Sequence, residues 1–304
     1  MTSSAMQFML GQSAEDNAVL VEYAASRLHA RIADEKAAVA AGKETHRRDF
    51  MHYLLNAEDP KTGWRPSSAE LEADSLSLIG AGADTIATVL AATLFYLLRN
   101  KPCLAKVTAE VRGAFASPDE IHAGPGLDSK CTYLAACIEE AMRLSPPVSS
   151  VLPREVMPGG VVIDGEFIPA GTVVGVPPYA LQHDENIYPD PWAFRPQRWI
   201  AGREGVKGED VRRAQAAMSP FSHGSRGCIG KALAYLEMKI ALARLLFLMD
   251  IREYEVESAT DSDSKAGEKR VEEGREREDE YQLTDCFGAD RHGPILEFRR
   301  REGW

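Results

Sequence analysis

Phe221-Ser222-His223-Gly224-Ser225-Arg226-Gly227-Cys228-Ile229-Gly230 is the stretch on which the reading of this chain turns. A glycine-rich loop delivers one cysteine to the start of an apolar run that reads as a helix over residues 229–249. A helix N-terminus, with its dipole and orphan N–H groups, favours an anion, which suits a thiolate. Gly224, Gly227 and Gly230 let backbone come close to something large and flat, and are expected to aim N–H groups at the sulfur. Arg226, two residues before the cysteine, is suited to grip a carboxylate through two parallel bonds. The competing reading of Cys228 is a small buried hydrophobe, the usual fate of a free cysteine. A lone thiolate is also a poor zinc site, because structural zinc takes four ligands.

Working outward, Glu140-Ala141-Met142-Arg143 spaces an acid and a base three apart, on one helix face. Taken alone this is an ordinary surface pair, worth under ~1 kcal/mol. Phe194-Arg195-Pro196-Gln197-Arg198-Trp199 adds a further arginine in a Pro- and Trp-rich, irregular stretch. Ala81-Gly82-Ala83-Asp84-Thr85 lies inside a long apolar segment. Glycine in a helix centre costs about 1 kcal/mol, so Gly82 suggests close backbone approach. A buried Asp84 beside Thr85 would supply an acid and a hydroxyl, the parts of a proton relay. The alternative is a threonine bonded back to its own helix and an aspartate paired elsewhere. Arg154 is a candidate anion contact or, alternatively, a strand-edge arginine in solvent.

Phe-x-x-Gly-x-Arg-x-Cys-x-Gly is similar to the cysteine-loop signature of the cytochromes P450, with every fixed position filled by residues 221–230. The three other motifs resemble that family's and stand in its order. The resemblance implies a mainly α fold with small β-sheets, as the C-terminal portion of a P450 domain over residues 1–304. It implies haem b (iron protoporphyrin IX) with Cys228 as the axial thiolate, pushing electron density toward O–O cleavage. Phe221, Gly224 and Gly230 would shape the loop around the haem, while Arg154 and Arg226 offset its carboxylates. Asp84 and Thr85 would deliver protons on the distal side. Glu140, Arg143 and Arg198 would form a structural triad beneath the loop. Two positions depart from the usual pattern: Gln197, where many relatives carry Glu, and Ile86, where relatives often carry Ser or Thr. His223 occupies a variable position of the loop.

The activity so implied is monooxygenation of a small organic substrate. The texture of residues 146–199 resembles fungal microsomal members, some of which hydroxylate aromatic acids or tailor secondary metabolites. No flavin or nicotinamide fingerprint is present, so electrons are expected from NADPH–cytochrome P450 reductase on the cysteine-loop side. Lys231 and Lys239 are placed to meet its acidic surface, unless they are simple solvated lysines. Two other readings stand beside this one: a non-catalytic remnant, and an isomerase or dehydratase, for which Ile86 leaves room. The resemblance does not extend to the family's N-terminal anchor, first sheet and first haem-contacting helix. The sequence as given therefore reads as cytoplasmic, and full-length relatives as bound to the cytosolic face of the endoplasmic reticulum membrane.

The net charge of −11 leaves no basic excess for neutralising phosphates, which argues against a nucleic-acid binder. A hydrophobic fraction of 44% with 27% charged residues suits a globular chain with a substantial core. Residues 255–280 are crowded with charge and read as a solvated insertion. The five cysteines show no paired framework and suggest free thiols.

Residues 14–55 read as Ala-rich helix broken near Gly42, and 59–66 as a loop. A capping box at Ser67 and Glu70 opens a long helix over about 67–101, closed by Arg99 and Pro102. That helix is apolar enough to raise a membrane span. Asp84 and the many small residues favour a buried helix of a globular core instead. Further helices are expected over 104–115 and 133–144, a hairpin over 161–168 turning at Asp164-Gly165, and strands near 172–176, 281–283 and 295–299. His46, His52 and His183 read as surface residues.

Overall fold

The structure, a computed structural model, describes residues 14–42, 48–254, 277–285 and 288–303. Most of the expected charged insertion, and with it Cys286 and His46, lies outside the described residues. The chain divides into two compact units, residues 1–84 and 85–304.

In the first unit, α1 spans Ala14–Ala40 and α2 spans Phe50–Leu55, followed by the first half of α3, Ser68–Arg99. Helix α1 stops just before Gly42, which takes φ +62°, a left-handed conformation that glycine adopts without strain. Arg31, buried on α1, donates to Asp49 at 3.0 Å and Glu35 at 2.6 Å. Asp49 in turn caps α2 by accepting the His52 N–H at 2.9 Å. The capping box forms in full. The Ser67 N–H and hydroxyl both donate to Glu70 Oε2 at 2.7 Å, and the Glu70 N–H donates back to Ser67 Oγ at 3.3 Å. Those bonds hold the Glu70 carboxyl below its usual range.

The second unit holds the larger core. The remainder of α3 buries Val89, Ala92, Phe95 and Leu97 there. Helix α3 is long and apolar enough to cross a membrane by length and composition, yet this stretch of it packs as a core helix. Pro102 does more than end α3, because it stands in the first turn of α4, Lys101–Ala114. Proline suits that position, where its missing N–H would have no helical partner. Helices α5 (Pro125–Lys130) and α6 (Thr132–Leu144) follow, and α6 is buried from Tyr133 to Leu144 with few breaks.

Strand β1 (Arg154–Glu155) pairs antiparallel with β4 (Val173–Val174), and between them β2 (Val161–Ile163) pairs with β3 (Glu166–Ile168). Asp164 and Gly165 both take positive φ, 50° and 84°, as a two-residue type I′ turn requires. Short α7 (Pro178–Gln182) and the unexpected α8 (Gly208–Ala217) precede α9, Lys231–Leu248. Helix α9 passes directly into β5 (Met249–Glu253), which pairs with β8 (Leu296–Arg300). Strands β6 (Leu283–Thr284) and β7 (Asp290–Arg291) form the last hairpin.

Candidate functional site

The cysteine loop is closed by its own backbone. The Cys228 N–H donates to the Phe221 carbonyl at 2.8 Å, and the Gly227 N–H to the Gly224 carbonyl at 3.0 Å. Gly224 takes φ +70°, which explains a glycine there, and Ser222 takes φ 54° without being one. At Gly227 a Cβ would lie 3.2 Å from the Gly224 carbonyl oxygen, so a side chain would press on the turn. The expectation that Gly227 aims its N–H at the sulfur is corrected, since that group is spent on closing the loop. Gly230 is the N-cap of α9, and the sulfur would lie 3.7 Å from a Cβ placed on it.

Cys228 is exposed, whereas Cys103, Cys131 and Cys137 are buried, so the buried-hydrophobe reading of Cys228 fails. Its neighbour Ile229 is 88% exposed, an unusual outlay for an isoleucine. Arg226 is exposed and makes no ion pair among the described residues. Arg154 is exposed on β1, and its guanidinium donates only to the adjacent Pro153 carbonyl at 2.9 Å. No cluster of three or more metal-ligating side chains occurs among the described residues, so the thiol stands apart from other protein ligands. An exposed thiol on a closed loop, with the exposed Arg226 two residues before it, suits an iron porphyrin and its carboxylates.

Between α6 and the 194–199 segment lies a buried polar hub. The fully buried Glu140 carboxylate receives both Arg143 Nε and Nη2 at 3.0 Å and Arg198 Nε at 2.8 Å. The structure thus brings Glu140, Arg143 and Arg198 together. Two further donors were not foreseen: the Trp199 indole N–H at 2.8 Å and the Arg195 backbone N–H at 3.0 Å. Burial alone would push the Glu140 carboxyl up, but Arg143 and Arg198 overcome it and hold the group below its usual range. Gln182, also buried and unforeseen, donates to the Met142 and Arg143 carbonyls at 3.1 and 2.9 Å. The Gln182 backbone carbonyl accepts from Arg143 Nη1 at 2.8 Å. The signal for Trp199 and Gln182 was available only as polar or amphipathic residues inside apolar surroundings.

The distal motif differs from expectation. Asp84 is exposed and Thr85 half-buried, so the buried relay pair is corrected. Burial along α3 is concentrated at Leu71 and Ser75 and again from Thr88 onward, and neither stretch includes this turn. Thr88, one turn beyond Thr85, carries a fully buried hydroxyl. It accepts Arg291 Nη1 at 3.2 Å and donates to the Ala289 carbonyl at 3.5 Å.

His183 is corrected from a surface residue to a half-buried ring between Tyr179 and Trp192, each 4.3 Å away between centroids. Burial, against the Tyr179 carbonyl that accepts from it, pushes its pKa down to about 4. Lys239 is not a free lysine, because it bridges to Asp128 at 2.6 Å.

The family model described as cytochrome P450 matches residues 2–271. A cytochrome P450 monooxygenase of Fusarium equiseti is 38% identical over 297 residues, covering 97% of this chain and 54% of that protein. Another, of Gibberella zeae, is 43% identical over 260 residues, covering 86% and 58%. A third, of Gibberella fujikuroi, is 41% identical over 253 residues, covering 83% and 66%. The chain thus spans between about half and two thirds of the length of these relatives. With a family model matched over residues 2–271 and relatives 38–43% identical over most of its length, the chain belongs to the cytochrome P450 family.

Proposed function

We propose that this chain carries the haem-holding part of a haem-thiolate monooxygenase, in which the Cys228 thiolate would bind the iron of haem b. The exposed thiol on a closed loop, in a chain whose other described cysteines are buried, is the observation that carries the reading. Bound haem supplies O2 activation, and electron push from a thiolate favours O–O cleavage. The remaining work belongs to protein side chains. Arg226 and Arg154 neutralise the two haem carboxylates, which are costly to hold near apolar surface unpaired. The Glu140 hub fixes α6 and the 194–199 segment beneath the loop. The half-buried Thr85, with the exposed Asp84 beside it, would hold and pass protons as a solvent-facing pair on the distal side.

In the overall reaction one oxygen atom enters a C–H or C=C bond of a small organic molecule. The other leaves as water, with two protons from solvent and two electrons from NADPH–cytochrome P450 reductase. The names of the fungal relatives support the reaction class, and secondary metabolites are the substrate class we favour. By analogy with full-length relatives, we place this chemistry at the cytosolic face of the endoplasmic reticulum membrane.

The test is the spectrum of the haem-reconstituted chain, reduced with dithionite under carbon monoxide. A strongly red-shifted Soret band that vanishes in Cys228→Ala is the expected result. Retained haem with an unshifted band would sink thiolate ligation. A second reading, haem binding without turnover, draws on the exposure of Asp84 and Ile229. It expects the same band but no product when reductase and NADPH are added.

A further inference from the structure

Between Tyr281 and Arg291 the chain is fastened to α3 at two places. Tyr281 is held first: its N–H donates to the Tyr96 hydroxyl at 3.1 Å, and its ring lies 5.1 Å from that of Phe95. Thr88 holds the other end. Its hydroxyl accepts Arg291 Nη1 at 3.2 Å and donates to the Ala289 carbonyl at 3.5 Å. At 1.5 Å per residue, Tyr96 and Thr88 are about 12 Å apart along the helix axis. The Ala289 N–H donates to the Pro147 carbonyl at 2.9 Å, so Ala289 bridges α3 and the segment after α6.

The hairpin at the Thr88 end has little ladder of its own. Strands β6 and β7 pair over two residues each, Leu283 with Arg291 and Thr284 with Asp290. A lone two-stranded hairpin is marginal in water, so its placement depends on what it meets. Ala289 and Thr88 are both buried, and the bond between them is made inside the protein.

Thr88 also marks an edge. From Thr88 to Leu97 α3 is largely buried, whereas Thr85, Ile86 and Ala87 before it are half-buried. The hairpin therefore meets α3 at the border between its packed length and the turn that carries Thr85. Thr85 and Thr88, three residues apart, share a helix face with Cβ atoms roughly 5–6 Å apart.

We propose that Thr88 is a positioning residue for the cleft beside Thr85. By holding Ala289 and Arg291 it fixes where the hairpin stands, and so how bulky a molecule can lie against that turn. The cleft's role rests on the haem-thiolate reading, whereas the hold on the hairpin is read without haem.

The first measurement is hydrogen exchange by mass spectrometry on the full chain, comparing peptides of β6 and β7 with those of β8. Thr88→Val keeps the side chain's shape but removes the hydroxyl from both of its partners. It should speed exchange in β6 and β7 about threefold or more and leave β8 unchanged, as local opening does. Thr88→Ser keeps the hydroxyl and should stay within about twofold of the parent. The second measurement, on the haem-loaded chain, is the spectral Kd of imidazole and of the bulkier 4-phenylimidazole. Thr88→Val should favour 4-phenylimidazole about fivefold or more relative to imidazole, and Thr88→Ser should restore the parent ratio. Unchanged exchange in Thr88→Val, or exchange that rises equally in β8, would overturn the proposal. An unchanged ligand ratio beside the expected exchange would overturn the cleft role. Should Thr88→Val not fold, Arg291→Met, which removes the donor from the other end, carries the same decision. Failure of the parent chain to retain haem would defeat the haem reading, and the exchange result alone then decides the hold on the hairpin.

Discussion

At the scale of single residues, Glu140 has more at stake than any other described side chain. It is fully buried and gathers two guanidinium groups, an indole N–H and a backbone N–H. Removing one partner of a buried ion pair typically costs about 3–5 kcal/mol, because the other charges are left without compensation. Glu140→Gln should lower the chemical-denaturation midpoint accordingly, and loss of less than about 1 kcal/mol would show the hub to be dispensable. The pH dependence follows from the depressed carboxyl. Its contribution is fully present above the ordinary carboxylate range and is lost as pH falls through the lower folded-state value. Acid unfolding of the parent should therefore be steeper than that of Glu140→Gln.

At the scale of elements, what was legible in the sequence was local. The Ser67–Glu70 capping box and the Asp164-Gly165 turn each close within four residues, and both form as read. Ser67→Ala should cost about 1 kcal/mol, the usual value of an N-cap, and speed amide exchange in the first turn of α3. Unchanged exchange there would show that packing, not the cap, starts the helix. Helix α8 escaped notice because only Val211 and Ala214 are buried along its ten residues, too few to mark an apolar face. The roles of Trp199 and Gln182 escaped for a different reason. Each reaches a partner about 40 to 60 residues away, a pairing that periodicity does not encode. The cysteine loop was legible because its glycines, arginine and cysteine occupy ten consecutive positions. The exposure of Asp84 was not, since burial depends on what covers a turn and not on the turn's own sequence.

At the scale of the whole molecule, charge and core are distributed unevenly. The buried residues of the second unit come from both sides of the charged stretch in sequence, with Tyr281 and Ala289 beyond it. Tyr281 is fastened through three contacts: its N–H donates to the Tyr96 hydroxyl at 3.1 Å, its carbonyl accepts from Ser145 at 3.2 Å, and its hydroxyl donates to the Gly293 carbonyl at 2.6 Å. Arg277 lies 3.6 Å over the Trp192 ring, and the Tyr179 hydroxyl donates to Glu280. Strand β5, before the charged stretch, pairs along five residues with β8, after it. The polypeptide link through residues 255–276 is therefore not what keeps the final segment in place. If a protease cuts there, the two pieces should elute together from a sizing column and part only in denaturant. Separation under native conditions would show that the ladder and the Tyr281 contacts are too weak alone. Co-elution would mean that residues 277–304 behave as a separable piece that could be supplied in trans.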